Sequence, residues 1–405
     1  MPNSARPFPH PLPQPDPIID QFVIDPDVVY LNHGSFGACP RAILDAQSAH
    51  RLSAERELVR FYVHDCWAKL DRSRIALADL VKCDSADLVF VHNATTGVAT
   101  ALSNLDLQQD DELLVTNCEY KACMNNFGRV ADRAGASITV ADLPWPISSK
   151  EQVIDAIMSK VTTNTKVALL SLITSSTGIR LPVEELIPLL KEQGVITILD
   201  AAHGPGCVPM DIRGWGAAYT AGNAHKWLCA PKGAAFLHVQ PEHQPGFVPL
   251  IDSNDAMDLD AAGSRTGRSG FNHAFDYAGT DDVSAYLTIA DCIEWINSNF
   301  RGGIQELMNR NKDLCLQARD LICDAIGVDA PVPDSMIGPL STIDLPAGLP
   351  SAPELKELLE SKYQIQVPVW GTPTSDSSLR ISVQMYNSIE QYEYLAESLK
   401  EVLGS

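Results

Sequence analysis

"KVALLSLITSSTGIRLPVEELIPLLKEQGVITILDAAHG", residues 166–204, contains the unit that repeats along most of this chain. Two short, apolar, β-branched runs, "KVALLSLI" and "VITILD", flank a segment of helical spacing, and each run ends in a polar cluster, "TSSTG" and "DAAHG". Runs this apolar have no face for water, so they belong in a sheet covered on both sides. The same rhythm spans residues 87–239, where "DLVFV", "ELLVT", "SITVA", "AAYTA" and "AAFLHV" supply the other runs. Seven runs predict an α/β domain: a mainly parallel seven-stranded sheet with helices on both faces.

Such sheets bind ligands beyond the carboxyl ends of their strands. The clusters "HNATTG", "NCEYKA", "TSSTG", "DAAHG" and "GNAHKW" are therefore expected to share one mouth. "DYAGTDDVSAYLTIADCIEWINSNF" reads as a long connecting helix, and the remainder, with "LRISV", as a smaller α/β domain. The expected division is a proline-rich extended arm over 1–25, a large domain over 26–285, and the connecting helix with a small C-terminal domain over 286–405.

The 405 residues are 45% hydrophobic and 20% charged, an ordinary globular composition. A net charge of -21 repels phosphate backbones and anionic lipid, which argues against nucleic-acid or membrane partners. With neither a membrane-length apolar run nor a signal-type N-terminus, the chain is expected to be cytoplasmic. Ten cysteines lie scattered without C-x-x-C or zinc-type spacing, so reduced thiols are expected and no metal site.

Lys226, between a histidine and a tryptophan in "GNAHKWLCAPKG", lies among small and apolar residues. Burial makes an amine nucleophilic and able to form a Schiff base with a carbonyl cofactor, whereas an ordinary lysine at such a place is ion-paired. Asp200 ends a buried strand, where its charge is costly without a cation. The pyridinium of pyridoxal 5'-phosphate is such a cation. A carboxylate about 4 Å from it is worth roughly 4 kcal/mol at an effective dielectric of 20, about three pKa units, so only a carboxylate keeps the ring protonated. His203 can reach the ring's phenolic oxygen or serve as a structural cap.

Ala94, Thr95 and Thr96 open the helix in "HNATTGVATAL", where free N–H groups suit a dianionic phosphate; simple capping explains them as well. Tyr120 follows a strand and can stack on a flat cofactor or sit at the core's rim. Arg380, in "SLRISV", has the fork that grips an amino-acid carboxylate, and is otherwise a surface arginine.

Together "VVYLNHGSFGACPRAI", "ERELVRFYVHD", "HNATTGVATAL", "ITSSTG", "ILDAAHGPG", "GNAHKWLCAPKGAAFL" and "YAGTDD" resemble the class V aminotransferase group of fold type I pyridoxal-phosphate enzymes, and within it the isopenicillin N epimerase-like branch. The resemblance implies the PLP-dependent transferase-like fold and covers nearly the whole chain. It implies that Lys226 bonds to the cofactor, Asp200 faces the pyridine nitrogen, His203 lies near the ring oxygen and Tyr120 stacks on the ring. It places Thr95, Asn223 and His225 in the phosphate cup, and Thr280 at the phosphate of a neighbouring subunit, which implies a homodimer with shared active sites. His33, Gly34 and Ser35 line the substrate side, Ser175 lies near ring and substrate, and Arg380 anchors the carboxylate.

Two departures stand out. The persulfide-forming desulfurases of the wider group need a cysteine shortly before the anchoring arginine, and "VPVWGTPTSDSSLR" has none, Cys323 being the last in the chain. The loop "LIDSNDAMDLDAAGSRTGRSGF" carries Arg265 and Arg268, either solvated or touching an acidic substrate. The implied activity lies at the α-carbon of an amino-acid substrate, with Lys226 moving the proton: epimerisation if Tyr120 or His33 acts as a second acid, or β-elimination of a C–S bond. Amino transfer to a keto acid, and a catalytically inactive scaffold, remain as alternatives.

Overall fold

The computed structural model describes residues 11–253, 268–372 and 375–404. The chain enters through a short strand, β1 (Val29–Tyr30), and then builds a seven-stranded sheet from β2 (Leu88–Val91), β3 (Glu112–Thr116), β4 (Ser137–Ala141), β5 (Thr165–Ser171), β6 (Ile196–Ala201), β7 (Tyr219–Asn223) and β8 (Ala235–Val239). Each of the seven apolar runs in the sequence became one of these strands. Their order across the sheet is β2-β8-β7-β6-β5-β3-β4. The β3-β4, β3-β5, β5-β6 and β6-β7 pairs are parallel, whereas β8 lies antiparallel to both β7 and β2. Strands β2, β7 and β8 are buried throughout, as a sheet covered on both faces requires.

The reversal at β8 matters for the site. Because β8 returns alongside β7, the connection between them, residues 224–234, turns back at the carboxyl end of β7, and Lys226 lies in that turn. Helix Ala94–Ser103 packs directly against this part of the sheet: a Cβ on Gly97 would stand 2.7 Å from the Ala221 methyl. A larger residue there would push the helix off the sheet.

The small domain holds β9 (Leu340–Asp344), β10 (Ile365–Gln366), β11 (Val369–Thr372) and β12 (Ser375–Ser382), with β11-β12-β9 forming an antiparallel sheet. Helices Gly303–Ile326, Ala352–Tyr363 and Ile389–Leu403 surround it. β1 pairs in parallel with β10, and Val29 and Leu31 pack in the core that contains Ile365 and Leu379. The entering segment thus belongs with the small domain before the chain crosses to the large one.

The expected single connecting helix over 276–300 is interrupted. Helix Gly270–Asp276 stops, Gly279 takes a φ of +118, and the Asp282 carboxylate accepts from the Ser284 N–H. Helices Ser284–Leu287 and Ile289–Asn299 follow, and the 24-residue helix Gly303–Ile326 makes the long connection. Glycine and aspartate favour turns and caps over helix interiors, and their local hydrogen bonds prevailed over the apolar spacing that suggested continuity. No helix among the described residues is long and apolar enough to cross a membrane.

Candidate active site

All five polar clusters meet in one cleft of about 260 Å³ at the carboxyl ends of the strands. Its wall includes Thr95, Tyr120, Ser175, Asp200, Asn223 and Lys226, one or more residues from each cluster, joined by Ser35 and Phe36 from the entering segment. The shared mouth read from the sequence is therefore present.

Lys226 points into this cleft. Its Nζ lies 3.2 Å from His203 Nε2, and burial pushes its pKa down to about 8, against a weaker upward pull from Asp200. At pH 7 roughly a tenth is then free amine, far more than for an ordinary lysine, and this is the form that attacks a carbonyl or takes a proton. Burial, with Lys226 as the next cause, holds His203 neutral, well below the usual imidazole range.

Asp200 is 4% exposed. Its Oδ1 accepts from the Ala202 N–H at 2.9 Å, and its Oδ2 accepts from the Cys123 thiol at 3.3 Å. Both donors are neutral, and burial raises its pKa. Among the described residues no cation is ion-paired to this carboxylate, Lys226 acting on it only through its charge, and a pyridinium supplies such a partner. Glu119 lies next door. Ser171 is the register partner of Asp200 in the parallel β5-β6 pair, and its hydroxyl donates to Glu119 Oε2 at 2.5 Å. Thr116 donates to Oε1 at 2.8 Å, and burial lifts Glu119 to about 7. Cys123 and Glu119 are site residues that the sequence reading passed over. Glu119 follows a buried strand just as Asp200 ends one, and the same cost argument would have found it.

Helix Ala94–Ser103 begins at the cleft wall. Asn93 caps it by accepting from the Thr96 N–H, and also takes the Thr96 hydroxyl hydrogen, so Thr96 is turned to capping and lies outside the cleft wall. Ala94 N–H donates to Asn223 Oδ1 at 2.8 Å. That leaves Asn223's amide hydrogens, with the helix end at Thr95, for an anion. His225 Nδ1 donates to the Ala234 carbonyl at 3.0 Å, and burial lowers its pKa to about 4.

Arg380, on β12 and 2% exposed, reaches from the small domain into the same region. Its guanidinium stacks on Trp370 at 4.9 Å and donates to the Ser175 carbonyl, to Ser35 Oγ at 2.8 Å and to Asn32 Oδ1 at 3.3 Å. None of these acceptors carries a charge. Its Nε has no hydrogen-bond partner among the described residues, and burial lowers its pKa to about 10. An arginine held this way binds an incoming carboxylate at a low ordering cost.

Other expected residues sit elsewhere. The His33 ring is fully buried beneath the cleft, 2.8 Å from Tyr386 OH and 2.9 Å from the Lys226 carbonyl, and burial lowers its pKa to about 3. It supports the lysine loop from behind and is not at the substrate side. Gly34 is likewise buried, where a Cβ would meet Leu340 at 2.8 Å. Tyr120 is at the cleft and 46% exposed. Thr280 is exposed and outside this chain's own cleft, so the role the resemblance implies for it needs a second copy.

Arg268 is a correction to both alternatives, being neither solvated nor at the cleft. It pairs with Asp71 at 2.5 Å and Asp276 at 2.7 Å and stacks on Trp67, buried away from the cleft. Arg265 lies outside the described residues.

The residues present fit pyridoxal phosphate on their own chemistry: an amine softened by burial, a helix N-terminus with spare amide donors and, among the described residues, a buried carboxylate with no ion-paired cation and an arginine with no ion-paired carboxylate. Comparison with known proteins agrees. The model of the family "Aminotransferase class-V" matches residues 40–395. An L-cysteine desulfhydrase of Arabidopsis thaliana is 28% identical over 93% of this chain and 88% of its own. An isopenicillin N epimerase of Streptomyces clavuligerus is 29% identical over 95% of this chain and 97% of its own. The fold matches a C-DES mutant with glycine covalently linked to its PLP cofactor, with a TM-score of 0.80 and 19% identity over 95% of this chain and 100% of that one.

Proposed function

The chain belongs to the class-V aminotransferase family, whose cofactor is pyridoxal 5'-phosphate, and from that membership we propose that it is a C–S lyase acting on cysteine-like amino acids. The burial of His33 supports elimination over epimerisation by removing one of the two candidate second acids, Tyr120 at the cleft being the other. Inversion needs a second acid opposite Lys226, and His33, one of two candidates, is buried with its Nδ1 committed to Tyr386 and its Nε2 to the Lys226 carbonyl. Elimination needs one base, and Lys226 serves. The desulfhydrase name of the Arabidopsis relative supports the same choice. With no cysteine after Cys323, direct release of the sulfur is favoured over a persulfide relay.

Pyridoxal phosphate, when bound, draws electrons from the substrate's α-carbon and makes its α-proton removable. Lys226, Asp200 and Arg380 do the rest. Arg380 donates to the substrate carboxylate and orients the α C–H bond toward Lys226. Asp200 holds the positive charge that stabilises the developing anion. Lys226 Nζ takes the α-proton, the β C–S bond breaks with its electron pair on sulfur, and the same amine returns a proton to the departing thiolate. The unsaturated amino acid left behind is hydrolysed to pyruvate and ammonium. Asn223, His225 and Thr95 hold the phosphate, and Thr280 reaches that of a second copy in a homodimer.

The test is incubation of the holoprotein with L-cysteine in deuterated water, using the species that light scattering shows to have twice the chain mass. Sulfide, pyruvate and ammonium in equal amounts are expected. Accumulation of α-deuterated D-cysteine without pyruvate would make the protein an epimerase. Turnover that requires a keto acid would make it an aminotransferase, and a monomer of full activity would remove the shared site.

A further inference from the structure

Trp227 is completely buried, its indole flanked by the rings of His33 and His203 at centroid distances of 5.2 and 6.3 Å. Its Nε1–H donates to His203 Nδ1 at 3.1 Å. An indole nitrogen has a hydrogen to give and no lone pair to offer, so Nδ1 must be the acceptor. A neutral imidazole carries a single N–H, which then lies on Nε2, the nitrogen facing Lys226 Nζ at 3.2 Å. A charged ring is disfavoured on the same ground, because its Nδ1–H would face the indole N–H.

We infer that Trp227 locks His203 in its Nε2–H form, making His203 a fixed hydrogen-bond donor at the Lys226 side of the cleft. Trp227 is thus a positioning residue, acting on the site through the far nitrogen of a histidine. The Lys226 amine accepts this hydrogen bond only when it is uncharged, so the lock also favours the free amine. Burial that keeps the ring neutral works in the same direction. The consequence for catalysis rests on the cofactor reading above: a donor at this point suits an anionic oxygen of the bound group, and its orientation cannot reverse while the indole is in place.

The test uses the full-length holoprotein labelled with 15N-histidine, and reads the two ring nitrogens through their long-range proton couplings. His203 is assigned by the signals lost in His203→Gln. The expected pattern is a protonated Nε2 and a bare Nδ1, unchanged from about pH 6 to about pH 8, a range in which an ordinary histidine titrates. A protonated Nδ1, a mixture of the two forms or a charged ring in the wild type would overturn the inference. In Trp227→Phe, Nδ1–H should appear, and the pH midpoint of the cofactor's visible band should rise by about one unit, roughly the size of one hydrogen bond to a charged oxygen. An unchanged His203 pattern in that variant would remove Trp227 from the assignment. If Trp227→Phe does not fold, the wild-type spectrum still decides. Neither readout depends on the reaction catalysed, and a missing visible band would count against the cofactor reading while leaving the nitrogen pattern to be measured.

Discussion

At the scale of single residues, Lys226 is the base of the proposed reaction, and its burial has a measurable cost. Its pKa falls from the ordinary 10.5 to about 8 on folding without cofactor, so between those values the unfolded chain holds more protons than the folded one. Stability from this group therefore grows as pH rises through that window and is missing below it. Cofactor-free Lys226→Met should exceed the cofactor-free wild type at pH 7 by up to about 3 kcal/mol, and the gap should close near pH 10.5. Urea unfolding of both proteins at the two pH values measures this; equal stability at pH 7 would mean that the amine is solvated in the folded state. Lys226, Asp200 and Arg380 were legible because a charged residue among apolar neighbours demands a reason. Cys123 was not, since a thiol within an apolar helix face looks like core, and its bond to Asp200 exists only across two elements.

Among the elements, the strands were the most legible part of the chain. β5 and β6 came from largely apolar runs, whose composition leaves few alternatives to a covered sheet. The antiparallel placement of β8 could not be read, because an apolar run carries no sign of its direction. The break near 279 was not legible from apolar spacing, over which the positive φ of Gly279 and the Asp282 cap on Ser284 prevailed. Arg268 illustrates how packing decides a role that a loop sequence leaves open. It ties Asp71 of helix Cys66–Val81 to Asp276 of helix Gly270–Asp276, and Asp276 is nearly inaccessible. Arg268→Ala should lower stability by about 3 kcal/mol, because Asp276 loses one of its two arginines, while KM stays within about twofold. Thermal melts and steady-state kinetics check it. A tenfold rise in KM with unaltered stability would restore the arginine to the substrate.

Over the whole molecule, the cleft exists because three parts of the chain converge. The large domain supplies Lys226 and Asp200 at its strand ends, the entering segment supplies Ser35, and Arg380 on β12 of the small domain stands behind the wall, bonded to Ser35 and to the Ser175 carbonyl. Thr342 of β9 donates to the Ser176 carbonyl at 3.1 Å, a second tie between the domains beside the Arg380 contact to Ser175. The crossing of 29–36 was not visible in the sequence, because β1 is two residues long and finds its partner more than 330 positions away. The most direct measurement is borohydride reduction of the holoprotein, followed by proteolysis and mass spectrometry. A pyridoxyl phosphate group on the peptide containing Lys226, with loss of the visible band, is the predicted result; a label on another lysine, or none in protein that has bound the cofactor, would contradict it.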